Sequence, residues 1–425
     1  MKTMEQLQPP KSKTLVCRSL PNISMEDREK VLKATEYNVF SFPAKMLVLD
    51  FLSDSGTTAM TDNQWAALFK GDESYGRNEG YYLLLEMIRN TFERGDDFED
   101  INPYLHDTIS IQDEIKQLFI KEHEGGFANG GTAQLKRPNA FITPQGRAAE
   151  HLLFSTIGQI LHEKYPERKF FIPNNGHFDT TEANIRANNL YPVNLLDENL
   201  LGSFPIEKVG KENPFKGNMN PNALKEFIKE KGSENIPIIY LTITNNTAAG
   251  QPVSLKCIRE ISKIAKENNI PLFFDACRFA ENAYFIKKYE NQKKSIPSII
   301  KEMFSHVDGF TMSFKKDGLA NIGGGLFFRD KGVFHKKFSS LNEDVGVKIK
   351  EKQILTFGND SYGGLSGRDI MSIAVGLQEV VKEDYLDNRV SLTEYFSKKG
   401  HLYCSSVPYN PDQKNNNPLQ ENALM

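Results

Sequence analysis

The sequence predicts an α/β fold with a mainly parallel sheet, because short apolar runs alternate with amphipathic helical stretches between about residues 150 and 330. Residues 236–243, IPIIYLTI, form an almost continuous apolar run, as expected for a strand that is buried on both faces. Residues 270–274 form a second run of this kind, and residues 307–313 form a third. Strands separated by helical stretches form a parallel sheet with helices packed on its faces.

The stretch between the first two predicted strands has the pattern of an amphipathic helix. Ser254 is placed to cap its first turn, because a serine hydroxyl accepts a hydrogen bond from an N-terminal amide. Asn268 and Asn269 mark its end. Its apolar side chains recur at helical spacing and are expected to face the sheet; they are Ile258, Ile261, Ile264 and Ala265.

The second and third predicted strands deliver charged residues to one edge of the sheet. Asp275 directly follows the strand at 270–274, and Lys315 and Lys316 follow the strand at 307–313. Open α/β sheets bind their ligands at the carboxyl ends of the strands, so this edge is the expected site. The glycines at 323–325 precede another apolar run and indicate close approach of the backbone.

The composition along the chain predicts a large domain and an incomplete small one. We expect the large domain at residues 55–370, interrupted by a polar insertion at 93–138 with one helix at 111–121. Residues 1–54 are interpreted as an N-terminal arm and part of the small domain, and residues 371–404 as the remainder of that domain. Residues 405–425 contain three prolines and few apolar side chains, so we expect a disordered tail.

The charge and the hydropathy exclude two classes of partner. With 52 basic and 55 acidic residues, the chain has no surplus of positive charge to neutralise a phosphate backbone, so nucleic-acid binding is not expected. No apolar run approaches the ~20 residues that cross a bilayer, so no membrane span is expected. The first residues lack the apolar region of a secretory signal, which predicts a cytoplasmic protein.

The cysteines and histidines show no metal-binding pattern. The four cysteines have no CxxC spacing, so neither a disulfide framework nor a zinc knuckle is indicated, and we interpret them as ordinary thiols. The eight histidines form no HExxH motif, and a transition-metal site is therefore not expected.

The pair Asp275 and Lys316 has two interpretations on residue chemistry alone. A pyridoxal phosphate (PLP) enzyme needs a lysine amine to attach the cofactor and a carboxylate to keep the pyridine nitrogen protonated. Two residues at adjacent strand ends meet that need. Alternatively, Asp275 caps a helix and Lys316 is a solvated surface charge. The two residues by themselves leave both interpretations open.

The segments around this pair carry a resemblance to a known family. Residues 311–317, TMSFKKD, together with Asn321 and the glycines that follow it, resemble the cofactor-attachment segment of the aromatic amino acid β-eliminating lyases, tryptophanase and tyrosine phenol-lyase. The resemblance covers roughly residues 20–395. It extends to further segments, namely 275–285 (DACRFAENAYF), 249–254 (AGQPVS), 145–147 (QGR), 54–57 (DSGT), 64–66 (QWA) and 71–75 (GDESY).

The resemblance implies a large domain of the PLP-dependent transferase type, which is fold type I and similar to aspartate aminotransferase. It also implies roles for the residues that match. Lys316 would attach the cofactor and accept the Cα proton, and Asp275 would hold the ring nitrogen. The phosphate would be bound by Ser313, Lys315, Gln145, Gly146 and Arg147. Without the resemblance, an ordinary loop before a helix is the favoured interpretation of the QGR segment.

Further roles follow from the same resemblance. Phe178 would stack on the cofactor ring, and Asn246 and Arg278 would bind its hydroxyl oxygen. Tyr75 would donate a proton to the leaving group; the alternative is a tyrosine at an interface. Ser53 and Asp179 would lie at the substrate. A potassium ion would be bound by Gly56, Glu73 and Asn321, although Glu73 alone is also consistent with a surface acid.

The activity implied is β-elimination of an aromatic amino acid. Tryptophan would give indole, pyruvate and ammonia, and tyrosine would give phenol. Asp179 favours tryptophan, because a carboxylate accepts a hydrogen bond from an indole N–H. The segment 362–369, YGGLSGRD, is more similar to tyrosine phenol-lyase. The family also implies a homo-oligomer, a dimer or a homotetramer, whose active sites are completed across a subunit interface.

The sequence departs from the family pattern in two ways. Phe314 stands where the family has a small residue, and Pro144 stands where it has a histidine, so we expect a changed cofactor pocket. Family members also continue beyond the helix at 390–400 with a closing domain that provides an arginine for the substrate carboxylate. A catalytically impaired PLP-binding protein is therefore a second hypothesis, and aminotransferase chemistry is a third.

Overall fold

The computed structural model describes residues 22–47, 50, 53, 55–56, 59–97, 125–129, 131–197, 214–290 and 293–406. Within these residues the chain forms fourteen α-helices and seven strands. The first elements are α1 (Met25–Ala34), α2 (Asp62–Lys70), α3 (Glu79–Arg89), α4 (Gly131–Lys136), β1 (Ala140–Thr143), α5 (Gly146–Lys164), β2 (Phe171–Asn174), α6 (Asp179–Ala187) and β3 (Tyr191–Asn194).

The later elements carry the site and the C-terminal helices. They are α7 (Pro221–Lys231), β4 (Ile239–Thr242), α8 (Leu255–Glu267), β5 (Leu272–Asp275), α9 (Phe279–Tyr289), α10 (Ile296–Ser305), β6 (Gly309–Ser313), β7 (Gly324–Phe328), α11 (Val333–Phe338), α12 (Val345–Phe357), α13 (Gly367–Val380) and α14 (Glu383–Ser406). Short helical turns at Val39–Ser41, Ala44–Met46, Asn90–Arg94, Gly95–Asp97 and Ser233–Asn235 connect some of them.

The predicted α/β class and mainly parallel sheet are confirmed. The central sheet has the order β1-β7-β6-β5-β4, and four of its five strands run in the same direction. Only β7 is antiparallel to its neighbours. Its direction follows from the short connection after β6, since a parallel return needs a crossover of about a dozen residues or more. β2 and β3 form a separate parallel pair.

The three strands predicted from apolar runs are present as β4, β5 and β6, and the predicted cap of α8 is present too. The Ser254 hydroxyl accepts a hydrogen bond from the Cys257 amide at 3.0 Å, and Asn268 ends the helix. Alternate residues of the strands enter different cores, since Phe274 packs on one face of the sheet and Phe273 on the other. Burial on both faces explains the continuous apolar runs.

An aromatic cluster forms the centre of one core. The Phe92 ring lies 4.3 Å from the Phe304 ring and 4.7 Å from the Phe310 ring, centre to centre, and Phe127 lies 5.1 Å from Phe310. These four rings are almost completely inaccessible to solvent. Phe127 belongs to the segment expected to be a polar insertion, so the described flanks of that segment are part of the core. The helix expected at 111–121 lies outside the described residues.

The C-terminal part of the chain is helical to Ser406. The helix predicted at 390–400 lies within α14, and residues 405 and 406 belong to this helix rather than to a tail. Residues 407–425 lie outside the described part, as do residues 1–21 of the predicted arm. Among the described helices, none has the length and apolar content that crossing a membrane requires.

Candidate active site

The carboxyl ends of β5 and β6 bring Asp275 and Lys316 to the same edge of the sheet. Asp275 is paired in register with Thr311, and the Ala276 amide donates to the Thr311 carbonyl at 2.8 Å. The segments beyond the strands remain joined, because the Asp317 amide donates to the Cys277 carbonyl at 3.3 Å. The Asp275 carboxylate is buried and accepts from the Cys277 amide at 3.3 Å. Sheet pairing therefore places the acid and the amine in one site, as the sequence predicts.

Phe178 lies against the lysine. The Lys316 ammonium nitrogen is 5.3 Å from the centre of the Phe178 ring. Phe178 follows β2 and forms the N-cap of α6, where its extended backbone turns the ring toward the sheet edge. A flat aromatic face beside a lysine amine is the surface on which a pyridine ring can stack.

Asn246 and Arg278 are joined by a hydrogen bond. The Nη1 group of the Arg278 guanidinium donates to the Asn246 side-chain oxygen at 2.9 Å. Asn246 lies after β4 and Arg278 lies after β5, so this bond connects two neighbouring loops at the carboxyl edge. Both side chains are partly accessible, and together they form a polar wall beside Asp275.

The start of α5 packs directly on the end of β6. A Cβ atom added at Gly146 would lie 2.8 Å from the Ser313 Cβ, which is closer than real Cβ contacts. Gln145 caps α5 without a side-chain hydrogen bond, so the amides of the first turn have no side-chain acceptor. Unpaired amides at a helix start bind phosphate, and the Arg147 guanidinium on the same turn adds a positive charge. This cradle fits the phosphate of PLP.

Lys315 is directed to a different neighbour. Its carbonyl accepts from the Gly56 amide at 2.9 Å, and its Cε lies 2.5 Å from where a Gly56 Cβ would be. The Asn321 carbonyl oxygen lies 2.9 Å from the same point. Gly56 and Asn321, two of the three residues expected at a potassium ion, are therefore close together.

Glu73, the third residue expected at the cation, is engaged elsewhere. Its carboxylate accepts from the Arg368 guanidinium at 2.7 Å and from the Gly367 amide at 3.1 Å. Both side chains of this ion pair are about half exposed. In the described residues no group of three or more histidine, cysteine, aspartate or glutamate side chains is arranged to hold a metal ion.

Three further residues with expected roles lie at the surface of the single chain. Tyr75 is 81% exposed, and its ring meets Tyr362 edge-on at 6.0 Å. Ser53 is exposed and its hydroxyl donates to Asp50 at 2.7 Å. Asp179 is exposed at the first position of α6, next to Phe178.

Glu150 is a site residue that the sequence analysis did not identify. It lies on α5, is 5% exposed, and accepts hydrogen bonds from the hydroxyls of Thr180, at 3.2 Å, and Thr181. Burial and the nearby Asp275 carboxylate raise the pKa of Glu150 to about 7, although the Lys316 charge opposes this rise. The sequence signal for Glu150 was its position three residues after Arg147, which places both on one face of a helix. That spacing does not show whether the Glu150 side chain is buried.

Cys277 lies in the same site and is not a nucleophile. Burial, and then the Asp275 charge, raise the pKa of the Cys277 thiol well above its usual value, so the thiol stays protonated. Cys257 is buried and also a free thiol. Both agree with the interpretation of the cysteines as ordinary thiols.

The bulk of Phe314 is accommodated in the core. This side chain is completely buried, and its ring meets Phe327 at 6.4 Å. Its amide donates to the Gly323 carbonyl at 3.0 Å, which closes the segment that contains the two lysines. The Phe314 side chain was expected to change the cofactor pocket, but it packs into the core and away from that pocket. The Pro144 carbonyl accepts a hydrogen bond from the Gly323 amide at 2.8 Å.

Comparison with known proteins agrees with this geometry. Residues 50–400 match the family described as β-eliminating lyase. The chain is 39% identical to a tryptophanase of Salinibacter ruber over 88% of this chain and 65% of that protein. It is 36% identical to a tryptophanase of Hyphomonas neptunium over 90% of this chain and 69% of that protein. It is 34% identical to a tyrosine phenol-lyase of Clostridium tetani over 89% of this chain and 67% of that protein.

The chain thus spans about two thirds of the length of these relatives. The residues that match the family, 50–400, include the site residues described above. Similarity over 351 residues, from 50 to 400, far exceeds what a shared fold alone produces, and the lysine, the acid and the stacking ring lie together inside it. The chain belongs to the β-eliminating lyase family.

Proposed function

We propose that this protein catalyses PLP-dependent β-elimination of an aromatic amino acid, with tryptophan as the substrate and indole, pyruvate and ammonia as the products. The observation that carries the proposal is the position of Lys316, whose amine lies 5.3 Å from the Phe178 ring beside the buried Asp275. Membership of the β-eliminating lyase family supports the reaction class.

The residues of the site fit the cofactor that the family implies. The cradle formed by Gln145, Gly146, Arg147 and Ser313 would hold the phosphate, with Lys315 near it. Phe178 would cover one face of the ring, Asp275 would hold the ring nitrogen, and the Asn246–Arg278 pair would bind the hydroxyl oxygen. When bound, PLP supplies an electron sink that stabilises negative charge at the substrate Cα.

Lys316 and Tyr75 would move the protons of the reaction. The Lys316 amine would take the proton from the substrate Cα, as a positioned general base. The Tyr75 hydroxyl would give a proton to the ring carbon of the leaving group. The Asp275 carboxylate would face the ring nitrogen and favour positive charge at this edge of the sheet.

The exposure of Tyr75 supports a homo-oligomer, a dimer or a tetramer. Trp65 and Phe69 on α2 are 48% and 80% exposed, and Tyr75 is 81% exposed. Aromatic side chains exposed at the surface of a single chain are enriched at protein interfaces. In such an assembly Tyr75 would serve the site of a neighbouring subunit. Glu73, Gly56 and Asn321 would bind potassium, with Glu73 released from Arg368.

Asp179 is the residue that favours tryptophan over tyrosine. It follows the stacking residue Phe178, and its carboxylate would accept a hydrogen bond from the indole N–H. The second candidate is tyrosine, which would give phenol. It is supported by the segment 362–369 and by the tyrosine phenol-lyase of Clostridium tetani among the relatives.

The test is a product assay on the purified protein with PLP and potassium. Tryptophan and tyrosine are supplied separately, and indole, phenol and pyruvate are measured. We expect indole and pyruvate in equal amounts from tryptophan. Phenol instead of indole would select the second candidate, and keto-acid-dependent exchange of the amino group would select aminotransferase chemistry.

A pair of adjacent lysine variants separates cofactor attachment from turnover. With PLP the wild type should show a visible absorption band that borohydride removes, and Lys316→Ala should never show it. Lys315→Ala is the matched control and should retain the band with weaker PLP binding. A band without any released product would favour a cofactor-binding protein without elimination activity. The absence of a band in the wild type would exclude both functions.

A further inference from the structure

The C-terminal helix α14 reaches the lysine segment through one side chain. Asp317, the residue after Lys316, has no solvent exposure, and its Oδ1 atom accepts from an Nη1 amine of Arg389 at 3.2 Å. Arg389 lies on α14, and its side chain is 29% exposed. Arg389 is remote in sequence from Asp317, since 72 positions separate them.

Asp317 depends on Arg389 for compensation of its charge. Its Oδ2 atom accepts from the Ala280 amide at 2.8 Å, and its own amide is bound to Cys277. Burial raises the pKa of Asp317 to about 6 even though the Arg389 charge lowers it. A buried carboxylate that loses its cation is strongly unfavourable, so Asp317 must either take up a proton, and with it change its hydrogen bonds, or be hydrated by movement of the surrounding backbone.

Arg389 also contacts the first turn of α9, which follows β5. Its Nε lies 2.9 Å from Oε1 of Glu281, and Oε2 of Glu281 lies 4.0 Å from Nε of Arg278. Arg278 is the residue that donates to Asn246. One guanidinium therefore connects the segment after β6, which contains the lysine, with the segment after β5, which contains the polar wall.

The other polar contacts between α9 and α14 do not involve the lysine segment. Lys287 pairs with Glu383 at 2.6 Å, Lys288 pairs with Glu394, and the Tyr284 hydroxyl donates to Asp387 at 2.9 Å. Glu383 is more than half exposed, so its ion pair is solvated and weak. None of these contacts reaches Asp317. They would keep the two helices together without Arg389, while the lysine segment would lose its contact with α14 and keep the bonds of Asp317 to Cys277 and Ala280.

We propose that Arg389 is a positioning residue that couples the placement of α14 to Lys316 and to Arg278. Its guanidinium bridges Asp317 and Glu281 through separate N–H groups in a fixed planar geometry, which a flexible lysine ammonium does not provide. Any shift of α14 would then move the amine relative to the polar wall. The proposal rests on the proposed role of Lys316 as the cofactor lysine.

Hydrogen exchange without added cofactor tests the coupling independently of the proposed function. In Arg389→Ala we expect the amides of residues 313–319 and 278–282 to exchange at least about fivefold faster than in the wild type. Lys287→Ala, which breaks the exposed pair between the same helices, is the matched control and should leave both segments unchanged. If Arg389→Ala does not fold, Arg389→Gln is measured instead. Unchanged exchange in the folded variant would overturn the proposal.

PLP titration then tests the consequence at the site. Arg389→Ala should bind PLP about tenfold more weakly, equivalent to ~1.4 kcal/mol, and Arg389→Lys should recover only part of the loss. Asp317→Asn should also bind PLP more weakly than the wild type. The loss of PLP binding free energy in the double variant should be smaller than the sum of the losses in the two single variants. Equal affinities in the wild type and all variants would refute the coupling. If exchange rises but the wild type binds no PLP, the coupling holds and the proposed function fails.

Discussion

The ammonium nitrogen of Lys316 lies 5.3 Å from the centre of the Phe178 ring. The lysine follows β6, and the phenylalanine lies between β2 and α6, so two separate parts of the fold form this contact. The space between an amine and an aromatic face, bordered by the buried Asp275, defines where a planar cofactor can lie.

Replacing Phe178 by leucine should weaken PLP binding about three- to tenfold, because an aromatic stack contributes ~0.5–1.5 kcal/mol beyond its buried area. The measurement is a spectrophotometric titration with PLP. Phe171→Leu is the control, since this side chain on β2 contacts Tyr191 instead. Equal losses in the two variants would show that Phe178 acts only through stability.

Replacing Gly146 by alanine should close the phosphate cradle. The added Cβ would lie 2.8 Å from the Ser313 Cβ, so α5 and β6 must separate at a cost of ~1–3 kcal/mol. We expect a lower melting temperature and PLP binding weakened by at least about tenfold. Gly76→Ala provides the control, because nothing lies within 4 Å of a Cβ at that position. A Gly146→Ala protein with unchanged PLP affinity would contradict the assignment of the cradle.

Replacing Glu150 by glutamine should change how stability depends on pH. Burial raises its pKa from 4.5 to about 7, so between these values the folded chain binds a proton that the unfolded chain has lost. The folded state is therefore destabilised as pH rises through this window, and a glutamine, which cannot ionise, removes that part of the slope. Relative to the wild type, the variant should gain up to ~3 kcal/mol between about pH 5 and about pH 8.

Urea unfolding of the cofactor-free protein at several pH values measures this difference. Glu163→Gln is the matched control, because Glu163 is exposed on the same helix. The control should leave the slope unchanged. A difference between Glu150→Gln and the wild type that is constant over the whole range would disprove the raised pKa.

Replacing Phe310 by alanine should reduce the free energy of unfolding by ~3–5 kcal/mol. Phe310 is completely buried, and its ring lies 5.0 Å from Phe304 and 5.0 Å from Phe327. Leu341→Ala should change stability by less than ~0.5 kcal/mol, since this side chain is fully exposed. Denaturant unfolding compares the two, and a small loss for Phe310→Ala would mean that the aromatic cluster collapses around the cavity.

Much of the fold could be predicted from the sequence because its signals are local. The apolar runs specify β4, β5 and β6, since a strand buried on both faces must be apolar throughout. Ser254 and Asn268 mark the ends of α8 through capping chemistry that operates within one turn. Asp275 and Lys316 could be paired from their positions after neighbouring strands.

Other features could not be predicted because they depend on contacts between distant segments. The pairing of β7 with β1 and β6, the burial of Phe127, the raised pKa of Glu150 and the exposure of Tyr75 all arise only when the elements pack. Sequence motifs identify residue types, but they contain no information about which side chains lose their solvent.

The α/β class, the three central strands and the residues that meet at their carboxyl edge can be predicted from the sequence alone. The positions of Glu150 beside Asp275, of Arg389 against Asp317 and of Glu73 against Arg368 are visible only in the folded chain. The two sets of features differ because the forces behind them act over different ranges. Backbone propensity and capping act over a few residues, whereas burial and the pairing of buried charges depend on packing across the whole domain.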